Sequence, residues 1–224
     1  TIKRRLSLSL GLLCLLTLPL RAQLQFSADF DNGRLDSVTT LGDTLVLWPD
    51  VPLHVRITGA LHAQPQFAVF SGSDYRMRRG HRMVYRYEGE RAWQHCDTGS
   101  LRGEWYYFSN HTTFRSDTVY LAYWTPFTYG DLVHWMDQIA GHRHVKHAEP
   151  RGVTLQGRAI FGFAVTDTAV PDAEKEHVVI ISRQHCVEAP GNYLAKGMTD
   201  FLLFDEGETA EELRRRCVFH FYPM

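Results

Sequence analysis

The sequence has little net charge, few cysteines and, beyond Leu20, no long hydrophobic run. Its 224 residues carry 24 Lys and Arg against 25 Asp and Glu, a formal net charge of −1. That balance gives no electrostatic ground for a nucleic acid or an anionic membrane as partner. Internal repeats and low-complexity tracts are absent, which excludes solenoids, collagens and disordered tails. With 44% hydrophobic and 22% charged residues, the composition is that of an ordinary folded protein. The length allows one large domain or two of roughly 100 residues.

The one apolar run is N-terminal. Lys3, Arg4 and Arg5 precede Leu6 to Leu20, and a small residue, Ala22, follows. Basic head, apolar core and small residue are the parts of a secretory signal peptide. Its core is shorter than the ~20 residues a membrane span needs. Residues 1–22 are therefore read as a leader cleaved after Ala22, and the mature protein as exported, periplasmic or secreted, with no stable membrane span. Export would leave Cys96, Cys186 and Cys217. A Cys96–Cys217 disulfide is conceivable, and buried free thiols are equally consistent.

From Gln23 to about Trp124 the pattern is β. Leu53, Val55 and Ile57 alternate with polar residues, as do Met83, Tyr85 and Tyr87 with Val84 and Arg86. The stretches 104–108 and 118–124 are aromatic and β-branched. Asp31-Asn32-Gly33, Glu88-Gly89-Glu90 and Ser71-Gly72-Ser73-Asp74 read as turns. Short strands at this spacing predict an all-β sandwich over residues 23–125.

At Pro126 the character changes. Thr128 can cap a helix with Leu132, Trp135, Met136 and Ile139 on one face, ended by Gly141. A polar segment, a strand at Ala159–Val165, a polar loop to His177 and an apolar strand Val178–Ser182 follow. Pro190-Gly191 then leads a helix with Leu194, Met198, Phe201 and Leu202 on one face. Thr209-x-x-Glu212 reads as a capping box, and Cys217–Tyr222 as a strand. This order predicts the first part of an α/β domain with a mixed or parallel sheet over residues 126–224.

The chemistry-bearing spacing is His185-x-x-Glu188, just past an apolar strand. Imidazole nitrogen and carboxylate oxygen are both zinc donors, and the end of a strand in an open α/β sheet is where such a site is expected. Taken alone, this spacing is common by chance. His142-x-His144-x-x-His147 is also metal-like, but Arg143 and Lys146 repel a cation, so it reads as solvated loop. Cys186 beside His185 cannot form a local nucleophile pair, because neighbours in an extended segment point apart. Asn110-His111-Thr112 fits the glycosylation acceptor pattern, but such triplets are common by chance and the secretion route need not supply that machinery. The run Trp105-Tyr106-Tyr107-Phe108 could stack sugars, but such runs more commonly fill a sandwich core.

Several segments together resemble a known family. Arg183-Gln184-His185-Cys186-Val187-Glu188 resembles the Arg-x-His-Pro-Gly-Glu motif of zinc carboxypeptidases of the carboxypeptidase A superfamily, cytosolic-carboxypeptidase-like branch. Pro126-Phe127-Thr128-Tyr129-Gly130-Asp131-Leu132 resembles the Pro-Tyr-Thr-Tyr-Ser-Asp-Leu that opens the catalytic domain there. Phe30-Asp31-Asn32-Gly33-Arg34-Leu35 resembles the Phe-Glu-Ser-Gly-Asn-Leu of its N-terminal β-domain, and residues 118–123 the end of that domain. Tyr222-Pro223-Met224 resembles the lead-in to Pro-Met-x-Asn-Pro-Asp-Gly.

The resemblance implies an α/β/α metallocarboxypeptidase acting on peptide or protein C-termini, with Zn2+ as cofactor and His185 and Glu188 as two of its three protein ligands. The third ligand, the carboxylate-binding Arg and the general-base Glu would lie beyond Met224, so the chain reads as C-terminally truncated and inactive by itself. Arg183 matches the branch's Arg and is a candidate for substrate binding or for a structural ion pair. Cys186-Val187 replaces the family's Pro-Gly, which would strain Val187 if that position needs positive φ. The alternatives are another zinc amide hydrolase of the superfamily, such as a murein-peptide amidase, and a non-catalytic β-sandwich binding protein with a degenerate second domain.

Overall fold

The computed structural model describes residues 24–48, 52–70 and 80–224. The segment read as a leader, residues 1–22, and the Ser71–Asp74 turn lie outside the described residues. Ten short strands come first: β1 (Gln25–Ser27), β2 (Ser37–Leu41), β3 (Thr44–Trp48), β4 (His54–Thr58), β5 (Gln66–Phe70), β6 (Val84–Tyr87), β7 (Gln94–His95), β8 (Ser100–Arg102), β9 (Trp105–Phe108) and β10 (Val119–Ala122). They form two five-stranded sheets, ordered β1-β4-β10-β6-β7 and β2-β3-β5-β9-β8. Val55, Ile57, Tyr85 and Leu121 of the first sheet share one core with Leu47, Phe67, Tyr106 and Phe108 of the second. The period-2 alternation places Tyr106 and Phe108 inward, while Trp105 turns outward onto Trp48 and Phe70.

Next comes α1 (Tyr129–Ile139), then β11 (Val145–Val153), β12 (Ala159–Val165), β13 (Glu176–Ser182), α2 (Ala189–Phe204), α3 (Glu208–Arg216) and β14 (Cys217–Pro223). The four strands order β11-β12-β14-β13, with β13 parallel to β14 and the other pairs antiparallel. Helix α1 starts where expected. The Asp131 amide donates to the Thr128 hydroxyl at 3.0 Å and the Thr128 amide to Asp131 at 2.7 Å, a complete capping box. Its buried Leu132, Trp135, Met136 and Ile139 pack with Phe163, Phe221 and the α2 residues Ala195 and Leu202 in a second core.

Three expectations are corrected. The polar segment after α1 is not a loop around His147. It is β11, an edge strand that carries Pro150 and two irregularities of register, features edge strands tolerate. The buried face of α2 is Asn192, Ala195, Thr199 and Leu202, rotated from the expected one, and Leu194 is 67% exposed. Thr209 caps nothing, since the N-cap of α3 is Gly207 and Glu212 pairs instead with Arg215 and Arg216. Asn110 is buried, in keeping with a chance match to the acceptor pattern. Cys96 and Cys217 are free thiols associated with different cores.

Candidate metal site and its setting

Strand β13 ends at Ser182, and the chain turns immediately towards α2. The Ser182 hydroxyl donates to Asn192 Oδ1 at 2.7 Å, and Asn192 Nδ2 donates to the Met224 carbonyl at 2.9 Å. Met224 returns its amide to the Ser182 carbonyl. Gly191 makes the close strand–helix approach possible, because a Cβ there would lie 3.3 Å from the Arg183 amide nitrogen. The ends of β13 and β14 and the start of α2 are thus tied around Asn192. Pattern reading missed that residue, although a polar side chain on the buried stripe of a helix was its visible signal.

Between these anchors lie His185 and Glu188. Imidazole Nδ1 sits 2.8 Å from Glu188 Oε1, and the His185 amide donates to Oε2 at 3.1 Å. The two side chains are 73% and 48% exposed. Hydrogen bonds from the His185 ring and backbone hold the Glu188 carboxyl below the usual carboxylate range. Glu188 is also the N-cap residue of α2, where the positive end of the helix favours an anion. Both expected metal ligands therefore converge on one solvent-open point as one nitrogen and one carboxylate donor, a set zinc accepts. Among the described residues no third His, Cys, Asp or Glu joins them in a metal-holding group. The pair fits half of a tetrahedral site.

Arg183 spends its guanidinium on carbonyl and amide oxygens. Its Nη1 donates to the Phe127 carbonyl, and its Nη2 to Asn32 Oδ1 at 3.2 Å and to the Cys186 carbonyl at 3.4 Å. Burial lowers its pKa. Arg183 also holds a left-handed backbone, φ 56°, whereas Val187 is not among the residues with positive φ. The strain anticipated at Val187 thus falls four residues earlier.

Beside the pair opens a cleft of about 620 Å³ between the β-sheets' N-terminal loop, the start of α1 and the β11–β12 hairpin. Asp31, Asn32, Arg158, Arg183 and Cys186 contribute to its walls, and His185 and Glu188 lie outside them. Asp31 crosses the cleft, accepting from the Gly130 amide at 2.9 Å and from Arg158 at 3.4 Å. The triad His142, His144 and His147 is not assembled as a metal group. Its Arg143 donates to His144 Nε2, and burial and neighbouring arginines lower the pKa values of His142 and His144.

A sequence model of the zinc carboxypeptidase family matches residues 132–224. Cytosolic carboxypeptidase 6 of Caenorhabditis elegans is 28% identical over 112 residues, 48% of this chain and 24% of that protein. Cytosolic carboxypeptidase 2 of Danio rerio is 31% identical over 114 residues, 48% of this chain and 16% of that protein. The chain thus spans a quarter or less of these relatives. Among solved structures, a metallo-carboxypeptidase from Burkholderia cenocepacia superposes with TM-score 0.74 at 21% identity, covering 89% of this chain and 55% of that one. A metallo-carboxypeptidase from Pseudomonas aeruginosa, in complex with (2-guanidinoethylmercapto)succinic acid, gives 0.75 at 19% identity, covering 88% and 54%. The fold is carboxypeptidase-like, with mixed sheets and few helices. Residues 132–224 are thus similar in sequence to the zinc carboxypeptidase family.

Proposed function

We propose that the whole protein is a zinc metallocarboxypeptidase that removes residues from peptide or protein C-termini. The observation that carries this reading is the convergence of His185 Nδ1 and Glu188 Oε1 at the end of β13, inside the segment that matches the family. When bound, zinc would polarise the scissile carbonyl and acidify a water molecule. His185, through a ring nitrogen, and Glu188, through its carboxylate, would hold it. Asn192 and Ser182 would keep the loop's two ends fixed while this happens. Residues 23–125 would form a β-sandwich domain and 126–224 the opening part of the peptidase domain. Export, with cleavage after Ala22, accords with the basic and apolar leader at residues 3–20.

With two donors only among the described residues, the 224-residue chain is expected to bind zinc weakly and to turn over no peptide. The test is a panel of peptides with free and amidated C-termini, together with cell-wall peptides, incubated with the zinc-loaded whole protein. Release of the last residue from free C-termini alone is the expected result. Cleavage confined to cell-wall peptides would move the assignment to a murein-peptide amidase, and no cleavage of any member would leave a binding role.

A further inference from the structure

The site reading leaves a conformational problem at Arg183. A left-handed backbone costs a non-glycine residue about 1 kcal/mol or more and persists where surrounding contacts over-determine it. The contacts that do so are those of its own guanidinium, and one of them reaches 151 residues back to Asn32. Asn32 is itself left-handed, φ 64°, a conformation Asn tolerates better than most residues. The two strained residues face each other across a single hydrogen bond.

Asn32 is in turn fixed from the β-sheet side. Its carbonyl accepts from Nδ1 of the buried His54 at 3.2 Å. The next residue but one, Arg34, exchanges backbone hydrogen bonds with His54 at 2.7 and 3.1 Å. Phe30 packs edge-on against the His54 ring at 4.8 Å. Gly33 closes the turn so tightly that a Cβ would lie 2.0 Å from the Ala28 carbonyl oxygen. The amide side chain of Asn32 is therefore a rigid acceptor presented by the first core to the loop that carries His185 and Glu188.

The geometry points to Asn32 as a positioning residue: with its backbone held by His54 and the Phe30–Arg34 turn, its side-chain oxygen fixes Arg183 and through it the metal-binding loop. This rests on the metal reading of His185 and Glu188, but the linkage can be tested without metal. The two informative variants are Asn32→Gly, which deletes the acceptor while tolerating positive φ, and Asn32→Asp, which keeps an acceptor at the same place.

Amide hydrogen exchange of the metal-free chain gives the readout, comparing residues 183–188 with strand β10. Losing one hydrogen bond of ordinary strength should accelerate exchange of the loop about tenfold. The expected result is that acceleration in Asn32→Gly, no change in β10, and rates within about threefold of wild type in Asn32→Asp. Uniform acceleration of β10 and loop, no acceleration in Asn32→Gly, or equal acceleration in Asn32→Asp would each overturn the proposal. Should Asn32→Gly fail to fold, Asn32→Ala deletes the same acceptor and must accelerate the same segment; an unchanged loop there overturns it equally. Adding zinc to wild type separates the two ideas. If zinc leaves loop exchange in the whole protein unaltered, the metal reading fails, while the Asn32 comparison stands or falls on its own.

Discussion

Acidification should destabilise this protein through His54 in particular. The ring is buried between Phe30, Trp93 and Tyr120. Burial, with a smaller opposing contribution from the Asn32 carbonyl and a further lowering by Arg86, brings its pKa from 6.5 to about 4. At neutral pH it is uncharged in both folded and unfolded chains. Between those two values the unfolded chain binds a proton that the folded one refuses, so stability falls as pH falls through the window. A shift of about 2.5 units corresponds to about 3 kcal/mol, of which about 2 kcal/mol is lost between about pH 7 and about pH 4.5. Other groups also titrate there, so the measurement is a difference. Urea unfolding of wild type and His54→Gln at the two pH values should show the variant losing about 2 kcal/mol less on acidification. An equal loss in both proteins would refute the assignment of a neutral, buried His54.

Three further outcomes follow from the packing and the site. Thr166→Val should cost about 2 kcal/mol in urea unfolding, because the Lys175 ammonium, whose side chain has no exposed surface, would lose the hydroxyl it contacts at 2.6 Å. Leu202→Ala should cost about 2–5 kcal/mol and Leu194→Ala within about 0.5, which a thermal-melt comparison would check against the observed face of α2. Replacing Glu188 by Gln should leave the melting temperature close to wild type, since its carboxylate is solvent-exposed, yet weaken zinc binding by the whole protein at least tenfold in a chelator competition.

The readable parts of this chain were those whose signal is local. Thr128, Asp131 and the four apolar residues after them specify α1 within twelve positions, and the alternation around Val55 and Tyr85 specifies β4 and β6. Strand β11 was illegible because an edge strand bearing Lys146, Glu149, Pro150 and Arg151 needs no apolar period. The face of α2 was misjudged for a related reason. The sheet beneath it selects Asn192, Ala195 and Thr199, small or polar residues that hydrophobicity alone does not single out. His185 and Glu188 were legible as a pair, from their types, spacing and collinear company. The hold of Asn32 on Arg183 was not, because it spans 151 residues and depends on two left-handed backbones.

The zinc content of the whole protein, purified metal-free, titrated with zinc and dialysed, tests the central claim most directly. With His185 and Glu188 intact it should retain about one equivalent, and the His185→Ala, Glu188→Ala double variant less than about 0.1. Equal zinc in both proteins, or none in either, would contradict a metal held by these two residues.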